Sequence, residues 1–201
     1  MPNDKIKIKS VGGVDIDATI FYIIKYCKNE ILANNNNDTR NQFIAYLTKH
    51  RPNFEEKYNT FVDHYCNQLL DEIKKKYPDK ENIKLIISPP SKTNRYCPYK
   101  SKISSFYINC VDISGHVSKI DGTKDSYSYE NSDELIRNLK VDDKIDIKEH
   151  SLVLFIDDSF SQSKTSGAIH GLLNSKLKPG CEWILACPLY MIPTQLQSTP
   201  V

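Results

Sequence analysis

Two adjacent carboxylates, Asp157 and Asp158, precede a run that reads Ser161, Gln162, Ser163, Lys164 and Thr165. Hydroxyls and backbone N–H groups that open a helix attract phosphate, because the first amides of a helix are unpaired and its dipole is positive there. An acid pair at a strand end beside such a helix start is how a phosphosugar site is built. The flanking sequence supplies the elements that must hold these groups in place. Leu152–Ile156 (LVLFI) is too short for a helix and rich in branched residues, so it reads as a buried parallel strand with the two acids at its carboxyl end. Open α/β sheets bind their ligands at that edge. A helix is predicted from Thr165 or Ser166 onward, through the apolar segment that ends near Leu173.

A second short apolar run, Ile83–Ile87 (IKLII), ends in Ser88, Pro89, Pro90, Ser91 and Lys92. No helix continues through two prolines, so this reads as a strand followed by a stiff loop. Ser91, Lys92 and Arg95 offer a hydroxyl and two cations there, which suit an anion by charge-assisted hydrogen bonding or stand as solvated loop charges.

The string DDSFSQSKT, from Asp157 to Thr165, resembles the signature of the type I phosphoribosyltransferases, in which an apolar strand is followed by two acids and a Ser/Thr/Gly phosphate loop. The resemblance extends to the competence-associated, amidophosphoribosyltransferase-like branch through Glu134–Val141 (ELIRNLKV), which carries Arg137 and Asn138 ahead of the acidic strand. It implies a parallel sheet flanked by helices. It implies that Asp157 and Asp158 are catalytic, lie on the ribose hydroxyls of phosphoribosyl pyrophosphate and hold Mg²⁺ through water. Ser161, Gln162, Ser163, Lys164 and Thr165 are then the 5′-phosphate loop, and Ser91 and Lys92 face the pyrophosphate. The implied reaction is transfer of the phosphoribosyl group to a nitrogen nucleophile with release of pyrophosphate, as in nucleotide metabolism. The family also carries a mobile hood over its site in the region corresponding to Asp121–Asp133, where Lys124, Tyr127 and Tyr129 stand as hood groups or as ordinary surface loop. Two positions depart from the signature: Gln162 replaces a usual Ser/Thr and Ser163 replaces Gly, whose lack of a Cβ allows close backbone approach to phosphate. A second expectation follows from these departures, a catalytically degenerate sensor of a nucleotide 5′-phosphate or phosphosugar that regulates a protein partner or acts as a homodimer. A third is a structural α/β domain in which the acids merely end a strand.

Composition fits a compact domain. The chain has 201 residues, 39% of them hydrophobic, and 27 basic against 25 acidic side chains leave a net charge of +2. That balance does not ask for nucleic acid or an anionic membrane. MPNDKIKIKS lacks the apolar core of a secretory signal, and no segment approaches the length of a membrane span. Six scattered cysteines (Cys27, Cys66, Cys97, Cys110, Cys181, Cys187) read as free thiols in a reducing cytoplasm, with Cys97 a buried spacer or a reactive thiol.

Residues 1–80 are expected to form an N-terminal helical elaboration, and 81–201 the α/β core. Ala18–Leu32 and Phe54–Tyr77 show helical spacing of apolar residues, separated by the NNNND loop with a cap at Asp38 or Thr39. KIKIK, from Lys5 to Lys9, alternates with period two and is an edge-strand candidate ended by Gly12 and Gly13. Further on, His116–Ile120 reads as a strand, Lys100–Val111 as helix or strand, and Trp183–Ala186 with Leu189 and Tyr190 as a final strand after the Pro179–Gly180 turn, before a tail from Pro193.

Overall fold

A computed structural model of the chain describes residues 3–27, 67–78, 84–87, 90, 110–120, 124, 128–157, 159–160 and 164–192. Within them the protein is α/β, with a mixed sheet between helical layers. The sheet contains β1 (Asn3–Lys9), β2 (Asp15–Cys27), β3 (Lys84–Ile87), β4 (Cys110–Asp112), β7 (Leu152–Ile156), the short β8 (Ser159–Phe160) and β9 (Glu182–Ile192). Their order is β1-β2-β9-β7-β3-β4, with β8 also on β9. All pairs are parallel except β1 with β2. β5 (Val117–Lys119) and β6 (Leu139–Val141) form a separate antiparallel ribbon.

The parallel strands carry the hydrophobic runs that burial on both faces demands. Leu152 to Ile156 are all buried, as are Trp183 to Cys187. One face packs Ile8, Ile20, Val153, Phe155, Trp183 and Leu185 against α3 (Lys164–Leu173), which contributes Ala168, Ile169 and Leu173. The short α2 (Ser132–Ile136) borders this layer through buried Leu135. Leu69, Leu70, Ile73 and Tyr77, on the helical segment α1 (67–76) and just past it, are buried on the opposite side. There Tyr77 meets the Phe21 ring edge-on at 6.2 Å and its hydroxyl donates to Glu182 at 2.7 Å. Burial and that carboxylate push the Tyr77 phenol up to about 12. Each large side chain fully buried in these layers, such as Trp183 or Phe155, contributes about 1.5–3 kcal/mol of transfer free energy.

One expectation is corrected here. The helix predicted over Ala18–Leu32 is strand β2 as far as Cys27, so residues 3–27 of the expected helical elaboration join the main sheet instead. Ala18 to Tyr22 are all buried because β2 lies inside the sheet between β1 and β9, so both of its faces are apolar. A continuous apolar run matches a helical stripe as well as an alternating one, and only the abundance of Ile, Thr, Phe and Tyr points to strand.

The KIKIK edge strand is β1, antiparallel to β2 from Asn3↔Phe21 to Lys9↔Asp15. Gly12 and Gly13, at φ of 70° and 71°, make the connection with conformations that a Cβ disfavours. Lys84–Ile87, of the run read as a strand from Ile83, and Leu152–Ile156 are strands as read, β3 and β7; the final strand expected from Trp183 is β9, which runs on to Ile192, and Ile83 lies outside the described residues. Helix is present at 67–76, while residues 54–66, the Asp38/Thr39 cap and the boundary expected between 80 and 81 lie outside the described residues. No helix among the described residues is long and apolar enough to cross a membrane. Cys110, Cys181 and Cys187 carry reduced thiols, and burial pushes that of Cys181 up to about 11.

Two glycines of α3 let it pack closely against the end of β1 and the turn after it. A Cβ on Gly167 would run into the Lys9 carbonyl oxygen and come within 2.6 Å of Ser132 Oγ. Gly171, one turn on, would meet Val11 and, at 3.2 Å, Ile136. Gly167→Ala is therefore expected to cost about 1–3 kcal/mol, the range for overpacking, read as a lower urea midpoint. Gly115→Ala, whose Cβ would meet nothing within 4 Å, is the control and should stay within about 0.5 kcal/mol of the native protein.

Candidate functional site

Sheet order locates the candidate site. From β3 the chain moves outward to β4, and from β7 it moves the other way to β9, so the order reverses between β3 and β7. A reversal of this kind leaves a crevice beyond the carboxyl ends of the two strands, where doubly wound sheets bind ligands. The register Ile87↔Phe155 brings both strand ends to the same edge. Asp157 follows Ile156 there, half-buried, and its N–H donates to the Ala186 carbonyl at 3.1 Å.

Beyond Ile156↔Ala186 the pairing stops, then resumes in the same register at Ser159↔Leu189 and Phe160↔Tyr190. Asp157, opposite Cys187, is outside both strands, and Pro188 follows on β9. Proline has no N–H to give a neighbouring strand. On the other flank β2 and β9 run on side by side as continuous strands to Cys27↔Ile192. Pro188 thus lies on β9 at the level where β7 ends, just beyond the Ala186 carbonyl that accepts from Asp157.

Beside β8 stands an aromatic and charged group. Tyr190 lies 5.3 Å from the Tyr22 ring and 6.0 Å from Phe160. The Lys25 ammonium sits 5.5 Å from the Tyr190 ring and 2.5 Å from Asp4, which also accepts from the Tyr22 hydroxyl at 3.3 Å. The bond to Asp4 raises the Lys25 pKa.

Of the residues singled out in the sequence, the fold places Asp157 at the strand end and Lys164 and Thr165 at the start of α3. Asp158, Ser161, Gln162, Ser163, Ser91, Lys92, Arg95 and Cys97 lie outside the described residues. Lys164 donates from Nζ to the Tyr129 carbonyl at 2.7 Å, and its own carbonyl lies 3.1 Å from Ser132 Oγ. Among the described residues no cluster of three or more His, Cys, Asp or Glu side chains forms a metal cage. Mg²⁺ does not require one, since it is commonly held by one or two carboxylates together with substrate phosphates and water; Asp157 fits that use. Tyr129, weighed in the sequence as a hood or surface-loop group, is instead buried, with its hydroxyl accepting from the Lys124 N–H at 3.1 Å. Residues 121–123 and 125–127 lie outside the described residues. Arg137 caps the carboxyl end of α2, with Asn138 between it and β6.

Sequence reasoning missed the groups that seat α3. Ser10 Oγ, at the end of β1, lies 2.9 Å from His170 Nδ1 and donates to the Gly167 carbonyl at 3.2 Å, and His170 in turn rests 5.0 Å from the Trp183 ring. Ser132 Oγ lies 2.9 Å from the Lys9 carbonyl, and Asp133 accepts from the Gly12 N–H at 2.6 Å. These groups are far apart in the chain and leave no motif. The spacing of Gly167 and Gly171, which bares one face of a helix, is the one signal that could have found them.

No protein-family model matches this chain, and no curated protein sequence matches it.

Two histidines resist protonation, His170 in this seat and His150 just before β7. Burial lowers the pKa of His170, and it lowers that of His150 against the weaker opposing pull of Glu149 and Asp146. Among the described residues, His150 Nδ1 is buried without a hydrogen-bond partner. With folded values below the unfolded one, the unfolded chain binds more protons, so the stability that neutral imidazoles confer is complete above the unfolded pKa and is lost as pH falls through the folded values. Lowered pKa values hold Asp15, Asp142 and Glu72 ionised through that window. The thermal midpoint is expected to drop between pH about 7 and about 5, below the ordinary histidine value. His150→Leu and His170→Gln should each flatten the drop, and an unchanged slope in both variants would show that other groups set it.

Proposed function

We propose that this chain is a type I phosphoribosyltransferase-like protein that binds phosphoribosyl pyrophosphate with Mg²⁺ and transfers its phosphoribosyl group to a nitrogen nucleophile. The observation that carries the reading is the placement of β7 and β3. The two strands whose following sequences suit a phosphosugar and a diphosphate are neighbours at the reversal of strand order. The chemistry is a substitution at C1 of the ribose: the bond from C1 to the pyrophosphate oxygen breaks with its electron pair on the leaving group, a C1–N bond forms, and the nucleophile loses a proton. Positive charge develops on the sugar ring as the leaving group departs. The carboxylates of Asp157 and Asp158, on the ribose hydroxyls, stabilise that charge most where water is excluded. The hydroxyls of Ser161, Ser163 and Thr165, with the amides that open α3, hold the 5′-phosphate and supply binding energy remote from the reacting carbon. Lys92 and Ser91 face the departing pyrophosphate. Mg²⁺, when bound through water to the acid pair, neutralises the diphosphate.

A second reading is favoured by one feature. Ser163 stands where the signature has glycine, and its Cβ hinders close approach of the loop backbone to phosphate. On that reading the protein retains ligand recognition, acts as a sensor of a phosphosugar or nucleotide, and signals to a protein partner.

Calorimetric titration of phosphoribosyl pyrophosphate with Mg²⁺ into the native protein and the Asp157→Asn/Asp158→Asn double variant tests both. The native protein is expected to bind, and the double variant to bind at least about tenfold more weakly, the loss of one or more charge-assisted hydrogen bonds. Pyrophosphate release on adding amines or nucleobases identifies the transferase, whereas binding without release identifies the sensor. Absence of binding by the native protein would overturn both.

A further inference from the structure

We infer that Lys164 is a strut that fixes the start of α3, and not a cation offered to the phosphate of the candidate site. In so far as it concerns ligand binding, this rests on the proposed site; the strut itself does not.

The lysine is held at both ends. Its ammonium donates to the Tyr129 carbonyl at 2.7 Å, and its main-chain carbonyl lies 3.1 Å from the Ser132 hydroxyl. Each acceptor or donor is itself immobilised. Tyr129 is buried to 7% exposure and its hydroxyl accepts from Lys124 N–H. The two residues after it are tied into the cap of α2: the Glu130 N–H donates to the Glu134 carboxylate at 2.8 Å, and Asn131 Oδ1 accepts from Glu134 N–H at 2.9 Å. Such reciprocal capping fixes the entry of a helix. Ser132, 4% exposed, has one hydroxyl proton set between the Lys164 and Lys9 carbonyl oxygens. Gly167 admits the Lys9 carbonyl against the same turn of α3. The end of β1, the start of α2 and the first turn of α3 therefore meet at one point, and Lys164 is the cross-piece.

A charge with this partner has little to gain by leaving it. An ammonium bonded to a carbonyl in a half-buried setting makes one of the stronger hydrogen bonds available to it, and breaking it strands the Tyr129 carbonyl. The contribution of Lys164 to phosphate binding is then indirect, through the position of the hydroxyls and amides that follow one another into α3.

Lys164→Met keeps the apolar stem and removes the ammonium, Lys164→Arg keeps a cationic donor, and Ser132→Ala removes the second hold. Without any ligand, Lys164→Met is expected to lower the thermal midpoint by about 2–4 °C, with faster amide exchange at Thr165 to Gly167, and Lys164→Arg to recover most of the loss. With phosphoribosyl pyrophosphate and Mg²⁺, Lys164→Met should bind about five- to tenfold more weakly with an undiminished salt dependence, because no ammonium–phosphate contact is lost. Ser132→Ala should be non-additive with it, since both act on one turn. A ligand-free midpoint that is unchanged or raised in Lys164→Met would overturn the strut. So would a reduced salt dependence of binding together with additive effects of the two substitutions. If the native protein does not bind this ligand at all, the proposed site fails, while the ligand-free midpoint and exchange still decide the role of Lys164.

Discussion

The constraint on which the arrangement depends is the contact between Gly167 and the Lys9 carbonyl. A helix that carries a candidate phosphate turn at its start must be held by something other than the turn, because ligand-binding hydroxyls and amides have to stay available. Here the hold is taken one turn further in, where the absence of a side chain lets the end of β1 press against the helix backbone. Ser10, Ser132 and His170 then bond across that seam, so polar groups next to a buried carbonyl are satisfied. The N-terminal hairpin is thus structural support for α3. It reaches the site from the opposite end of the chain through an edge strand whose Lys5, Lys7 and Lys9 also discourage further pairing.

A second constraint is the proline in β9. A central parallel strand normally gives every N–H to a neighbour, and Pro188 cannot. It stands at the level where β7 ends, between Ile156↔Ala186 and Ser159↔Leu189. In a sheet whose interior is otherwise apolar, the residue that cannot give an N–H is therefore beside the point where the chain turns from buried strand to acid, and Asp157 is held there by its own N–H on the Ala186 carbonyl.

How much of this was legible depends on whether a feature is local. LVLFI and IKLII are short, apolar and rich in branched residues, and each is bounded by residues that stop it, so both strands and the edge they share could be read from sequence. KIKIK was legible because alternation on an edge strand has one exposed face. β2 misled because both of its faces are buried: Ile20, Phe21, Ile23 and Ile24 fit a helical stripe when read alone, and only the presence of β9 beside them settles the matter. Tyr129 was hidden for a similar reason, since a tyrosine in a polar run gives no sign that a distant core will receive it.

The same distinction separates the acid pair from the strut. Asp157 and Asp158 are adjacent, so their chemistry is visible in one line of sequence. Lys164 reads there as one more polar residue of a phosphate loop, and by residue type alone a cation in such a loop belongs to the phosphate. Its assignment changes only because the Tyr129 carbonyl, 35 residues earlier in the chain, is brought within 2.7 Å of it by α2. A lysine is a flexible point charge that bonds whichever acceptor is best fixed, and the capped entry to α2 makes that acceptor a main-chain carbonyl.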